Sequence, residues 1–96
     1  MIEHIVMFRL HSESKGQVIE LKDKLDALED KIDDVLKIET GINFADRSDA
    51  YDLMLKVHVK DKEGLKAYAE HPEHQQVLKF IKQVVDQTAV VDFMKE

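Results

Sequence analysis

The sequence contains no cysteine and no tryptophan, with one proline and three glycines among its 96 residues. Without cysteine the chain can form no disulfide, no thiolate metal site and no cysteine nucleophile. No apolar run approaches the roughly 18 residues that a membrane helix needs, and the N-terminus lacks a basic flank followed by a cleavable apolar stretch. We therefore expect a cytoplasmic protein that does not contact a membrane.

The charge balance of the chain is acidic. The net charge is −6, while charged residues make up 35% of the sequence and hydrophobic residues 44%. Nucleic-acid phosphates need a basic face, so this balance argues against nucleic acid as a partner. A single domain over residues 1–96 is predicted from the length. Such a short chain buries only about 60–65% of its unfolded surface, and association with a second copy would bury more.

Hydrophobic periodicity divides the chain into four strands and two helical regions. The predicted strands are residues 3–10, 37–45, 51–59 and 88–94. Apolar residues step by three or four from Gln17 to Leu36, which predicts one amphipathic helix that follows a polar loop at residues 11–16. The stripe that we expect to be core is Leu21, Leu25, Leu28 and Ile32. A second helical region begins after Asp61 and is broken at Pro72.

The resulting order is βαββαβ, which predicts a ferredoxin-like α+β fold with one four-stranded antiparallel sheet and helices on one face. In the second predicted strand one face carries Ile38, Thr40, Ile42 and Phe44. The sheet face opposite the helices is expected to carry Ile5, Met7 and Met54. A wet apolar face of this kind is rare in a monomer. We therefore predict a homodimer in which two sheets pack face to face as a dimeric α/β barrel.

Pro72 places two groups that can exchange protons at one corner. Proline disfavours helical dihedrals at the residue before it, here His71, but fits well at the first position of a new helix. Tyr68 then lies in the last turn of one helix and His74 in the first turn of the next. A candidate site is predicted where these two helices meet.

Three segments together resemble the stress-responsive dimeric α/β-barrel (Dabb) family. They are His4-Ile-Val-Met-Phe, Tyr51-Asp-Leu-Met-Leu and Tyr68-Ala-Glu-His71-Pro72-Glu-His74, and the resemblance extends over essentially the whole chain. It implies a homodimer whose two four-stranded sheets form one barrel. Many bacterial members have no assigned activity, whereas plant members include stress-induced proteins and a polyketide cyclase.

The cyclase of this family suggests roles for individual residues. Its catalytic tyrosine and histidine match Tyr68 and His74, and the pocket histidine of its first strand matches His4. A further histidine on its third strand aligns here with Leu53, which implies a less polar pocket. The resemblance therefore implies a similar site without implying the same reaction.

We predict a ligand site between the sheet and the helices, for a small molecule that is apolar or carries a carbonyl group. The residues expected to contact it are His4, Val6, Phe8, Leu55 and His71. The alternative is a cofactor-independent cyclase or lyase, in which His74 is the general base and Tyr68 donates a hydrogen bond to the developing enolate. No cofactor is predicted.

Several less specific interpretations remain open. His71 could be a helix cap, Tyr68 a packing residue, and the protein a protective dimer that turns nothing over. A metal site joining His71 and His74 with His4 or His58 is not favoured, because the proline break spoils the shared helical face. Related barrels oxidise quinols or degrade haem, but nothing here resembles a dedicated haem ligand. His11 and His58 are predicted to be surface residues.

Overall fold

The structure is a computed structural model that describes every residue from Met1 to Glu96. Its strands are β1 (Ile2–Leu10), β2 (Val35–Ile42), β3 (Leu53–Val59) and β4 (Val85–Met94). Its helices are α1 (Val18–Asp26), α2 (Leu28–Lys31), α3 (Lys62–Glu70) and α4 (Pro72–Val84), and a 3-10 helix covers Ser12–Gln17. The predicted βαββαβ order is confirmed, with each helical region divided in two.

The four strands form one antiparallel sheet in the order β2-β3-β1-β4. β1 is central, and its Val6 lies opposite Leu55 of β3 and Val90 of β4. The register between β1 and β4 shifts between Arg9 and Leu10, where the strand carries an irregularity. β4 and β2 are therefore the two edges of the sheet.

The hydrophobic core lies between the sheet and the helices. The helical stripe predicted to be core is buried, since Leu21, Leu25 and Leu28 are each at most 1% exposed. These side chains join one cluster with inward-facing residues of the sheet, among them Phe8, Leu53, Leu55 and Val57. No helix is both long enough and apolar enough to cross a bilayer.

The prediction of one helix from Gln17 to Leu36 is wrong in its second half. Backbone dihedrals become extended at Ile32 (φ −124°, ψ 109°), and β2 begins at Val35. The side chains of Ile32 and Val35 are both buried. The apolar spacing of the helix therefore continues into residues that are no longer helical. Asp33 and Asp34, which lie between them, are poor helix formers that favour turns. The prediction of a polar loop at residues 11–16 is also wrong, because most of this segment forms the 3-10 helix.

The second strand is shorter than predicted at its C-terminal end. β2 stops at Ile42 rather than at residue 45. The Asn43 amide still donates to the Asp52 carbonyl at 2.9 Å, but its side chain donates a hydrogen bond to the carbonyl of Ala45 and accepts one from the Ala45 amide, and this local turn ends the strand. Phe44 was predicted to share the face of Ile38, but it is 99% exposed.

The starts of the other three strands also differ from the predictions, by a single residue for β1, which begins at Ile2 rather than at residue 3. β3 begins at Leu53 rather than at residue 51, and β4 begins at Val85 rather than at residue 88. α4 ends at Val84, so the helix passes into the strand without a loop. No glycine or proline marks the change from helix to strand in the sequence. The β-branched residues at the end of α4 could therefore be assigned to either structure.

The sheet face opposite the helices is apolar at one end. Ile5, Met7 and Met54 lie on this outer face as predicted, and register adds Val91 opposite Ile5. Met7 is 39% exposed and Val91 59% exposed in the single chain. The other end of the face is charged and carries Glu3, Lys37, Glu39, Lys56, His58 and Lys95.

Candidate functional site

The corner between α3 and α4 is built by His71 and Pro72. His71 has extended dihedrals (φ −63°, ψ 137°), and its Nδ1 accepts a hydrogen bond of 3.1 Å from the Glu73 amide. It therefore caps α4, while Pro72 occupies the first turn, where its missing amide costs nothing. The predicted helix break is confirmed, and His71 is placed as the cap.

Tyr68 lies at the centre of the corner, only 1% exposed. Its ring meets the His4 ring edge-on, with centroids 6.0 Å apart and planes at 62°. The His74 ring lies on another side, with centroids 4.5 Å apart and planes at 52°. The fold thus brings the three predicted residues together from β1, α3 and α4.

The hydroxyl of Tyr68 is buried and has no hydrogen-bond partner. Burial raises the pKa of Tyr68 well above its usual value, so the phenol keeps its proton and remains a donor. Buried polar atoms without a partner are uncommon, because each forfeits its hydration without compensation. The Tyr68 hydroxyl therefore has an unpaired hydrogen, and an acceptor atom of a ligand could bind it.

His74 is half-buried in the first turn of α4. Its Nδ1 lies 3.0 Å from the Ala69 carbonyl, which can only accept, so Nδ1 carries the hydrogen in the neutral ring and Nε2 keeps a lone pair. Desolvation lowers the pKa of His74, and nearby His4 and His71 lower it further, against the opposing effect of the Ala69 bond. At neutral pH the ring is a neutral base.

His4 is held by a carboxylate that sequence analysis did not single out. Its Nδ1 donates to Asp92 Oδ1 at 2.5 Å, because the register of β1 and β4 places the two residues opposite each other. The bond fixes the orientation of the imidazole beside Tyr68 and brings a negative charge to the site. Asp92 lay within the predicted last strand, but no local pattern marked it.

The predicted apolar contacts of the ligand belong to the core. Val6, Phe8 and Leu55 are 7%, 3% and 2% exposed. Val90, opposite Val6 and on the same face, is 54% exposed, because the helices do not cover β4. Four clefts on other parts of the surface, of about 230–680 Å³, are lined by neither Tyr68 nor His74. Because the Tyr68 hydroxyl is buried, a ligand can reach it only if side chains at the corner move.

The other histidines lie away from the corner. His11 is on the surface as predicted, with Nδ1 3.9 Å from Asp86 Oδ1. His58 is partly exposed on the charged outer face, on the polar side of β3 as predicted, and its Nδ1 is 2.9 Å from Oε1 of Glu3, a carboxylate only 2% exposed. This pairing was not predicted. No group of three or more histidine, aspartate or glutamate side chains is arranged to hold a metal ion.

Fold and corner together define a ferredoxin-like α+β domain with a buried tyrosine between two histidines. The model of the Stress responsive A/B Barrel Domain (Dabb) family matches residues 2–95. The chain belongs to this family.

Known relatives extend the comparison. An uncharacterized protein of Streptomyces coelicolor is 36% identical over 78 residues, which cover 78% of this chain and 80% of the relative. A dimeric protein of unknown function and ferredoxin-like fold from Bacteroides fragilis is 31% identical, with a TM-score of 0.84 over 96% of this chain and 93% of the other. The hydroxynitrile lyase of Passiflora edulis is 15% identical, with a TM-score of 0.85 over 99% and 93%, which is a likeness of fold.

Proposed function

We propose that this chain forms a homodimer that binds a small, largely apolar ligand with a carbonyl group at the corner between sheet and helices. The observation that carries the proposal is the buried Tyr68 hydroxyl without a hydrogen-bond partner. A carbonyl oxygen is an acceptor that could pair with it, and the pairing would recover the free energy that the orphaned donor forfeits. The ligand thereby completes a hydrogen bond that the protein leaves open.

The surroundings of the hydroxyl support an apolar ligand with one polar end. Val6 follows His4 on the inward face of β1, and the exposed side chain of Val90 lies opposite it on β4, where an apolar ligand could pack against it. His4, oriented by Asp92, and His74 flank the polar end. Sites that bind small molecules commonly combine apolar walls with a few placed polar groups.

An enzymatic form of the same proposal is favoured by the state of His74. Its Nε2 can take a proton from a carbon next to the ligand carbonyl, and the C–H electron pair then forms the enolate. The enolate oxygen accepts the hydrogen bond from Tyr68, which is stronger for the anion than for the ketone. In a cyclisation the enolate carbon attacks a second carbonyl carbon of the ligand, the C=O electron pair becomes an alkoxide, and His74 returns the proton to that oxygen. In a lyase reaction His74 instead takes a hydroxyl proton, the O–H electron pair forms the new carbonyl, and the electron pair of the broken C–C bond leaves with the departing group. The fold likeness to a hydroxynitrile lyase adds hydroxynitriles to the compounds worth screening.

The dimer is supported by the apolar outer face and by a dimeric relative. Met7, Val91 and Phe93 are between 39% and 59% exposed on one chain, and a second sheet would cover them. The Bacteroides protein of the same fold is described as dimeric. Met7→Asp should raise the dissociation constant at least tenfold, since it buries an unpaired charge. Ile19→Asp, at a 61% exposed site on α1, is the matched control for sedimentation and should leave it unchanged.

Ligand binding can be tested by NMR titration with 2-heptanone and with mandelonitrile. Wild type should show shifts concentrated at residues 68–74, and Tyr68→Phe and His74→Ala should each weaken the binding of 2-heptanone. His11→Ala is the matched histidine control. Exchange of the protons next to the 2-heptanone carbonyl in D2O, faster with wild type than with His74→Ala, would establish the base. If no metabolite-like compound binds and the corner proves packed solid, the protein is a structural or protective dimer. The cytoplasmic location stays a prediction.

A further inference from the structure

The loop between β2 and β3 presents one aromatic side chain fully to solvent. Phe44 is 99% exposed, the highest exposure among the large hydrophobic residues. The loop around it is ordered by its own bonds, since Asn43 bonds twice to Ala45 and the guanidinium of Arg47 bonds twice to the carboxylate of Asp49. Phe44 is therefore held outward by a defined turn.

An unfilled apolar cleft of about 570 Å³ lies beside this turn, on the outer face of the sheet. Its floor includes Met7, Gly41 and Met54, and Phe44 lies at its rim. A Cβ placed at Gly41 would meet no atom closer than the Met54 terminal methyl at 4.0 Å, so the floor is open. The flexible thioether chains of methionine adapt well to an incoming ring.

We propose that Phe44 of each copy enters the cleft of a second copy of this chain and anchors the dimer. The inference rests on the proposed homodimer. A two-fold interface uses the same patch on both chains. Because the ring projects beside an empty cleft, the ring of each chain can enter the cleft of the other. A buried aromatic side chain covers about 150–250 Å², against roughly 800 Å² per chain in a standard interface. Phe44 would supply about a fifth to a third of that area.

The first test compares dimer dissociation constants by sedimentation. Phe44→Ala should raise the constant at least about 30-fold, as truncation of a central anchor does. Ile19→Ala, which removes an exposed side chain from the helical side, should change it less than about threefold. If Phe44→Ala also changes it less than threefold, the inference fails while the dimer stands. If the wild-type protein is monomeric at every concentration, the proposed homodimer itself is refuted.

The second test locates the ring. A photoreactive benzophenone side chain is placed at position 44, the chain is mixed with an isotope-labelled copy, and the cross-linked peptides are identified by mass spectrometry. Benzophenone reacts readily with methionine, and the chain contains four. Cross-links between chains at Met7 or Met54 are expected. Cross-links between chains at Met1 or Met94 only, or within one chain only, would overturn the proposed insertion.

Discussion

Replacing Tyr68 by phenylalanine should make the protein more stable. The hydroxyl is buried without a partner, and a buried orphan of this kind costs roughly 1–3 kcal/mol. The ring is 1% exposed and packs against His4 and His74, contacts that phenylalanine preserves. Removing one oxygen also leaves a small void, which offsets part of the gain. We therefore expect a net increase of about 1 kcal/mol in the free energy of unfolding.

The increase can be measured by urea denaturation at one fixed protein concentration, because dissociation of a dimer contributes to the apparent stability. For a domain of this size, 1 kcal/mol corresponds to a rise of about 4–8 °C in the melting temperature. Tyr51→Phe is the matched control. Tyr51 is half-buried, with the Arg9 guanidinium 4.8 Å from its ring centroid, and its variant should stay within about 0.5 kcal/mol of wild type.

The same variant links stability to the proposed site. Tyr68→Phe should bind 2-heptanone more weakly and melt at a higher temperature. Such a trade-off between stability and binding is expected where a site keeps an unpaired polar group for its ligand. A loss of 1 kcal/mol or more would refute the reasoning. It would mean that the hydroxyl already has an acceptor in the folded protein, so that a carbonyl ligand would gain little from it.

Three further outcomes are expected. Leu25→Ala should lose about 2–5 kcal/mol in chemical denaturation because the side chain is 1% exposed, whereas a loss near that of Ile19→Ala would place α1 wrongly. Asp61→Ala should cost about 1 kcal/mol, since Oδ1 accepts a 2.8 Å bond from the Gly64 amide at the start of α3; Asp61→Asn should retain most of that stability. His74 should titrate below pH 6.5 by NMR. Just below that pH the unfolded chain binds a proton that the folded chain does not, so stability should fall on acidification, and His74→Gln should reduce this slope.

Much of the fold was predictable because local patterns agree with it. Leu53, Leu55, Val57 and Val59 recur at every second position, as the inward face of a strand requires, and β3 follows that pattern. Pro72 marks a helix boundary by its own chemistry. The end of the first helix was not predictable, because Ile32 and Val35 are buried whether the chain there is helical or extended. Spacing alone does not separate these two ways of burying the same side chains.

The candidate site divides in the same way. Tyr68 and His74 are six residues apart, so a local break was enough to bring their rings into contact. Asp92 and His4 lie 88 positions apart and meet only through the register of β1 and β4. The orphaned hydroxyl of Tyr68 depends on every side chain packed around it. Neither of these two features leaves a mark in any local stretch of sequence.

The direct passage from α4 into β4 has a mechanical consequence. The His11 amide donates to the Val84 carbonyl at 2.9 Å, and Val85 already pairs with Leu10. The end of α4 and the start of β4 are therefore both attached to the end of β1, with no flexible residue between them. A ligand that moves α4 to reach Tyr68 must then shift β4, the strand whose outer residues Val91 and Phe93 are exposed for a second sheet. Binding of the proposed ligand and association of the proposed dimer would then be thermodynamically linked, and each would change the equilibrium constant of the other by the same factor. Saturating 2-heptanone should accordingly change the dimer dissociation constant of wild type and leave that of Tyr68→Phe nearly unchanged.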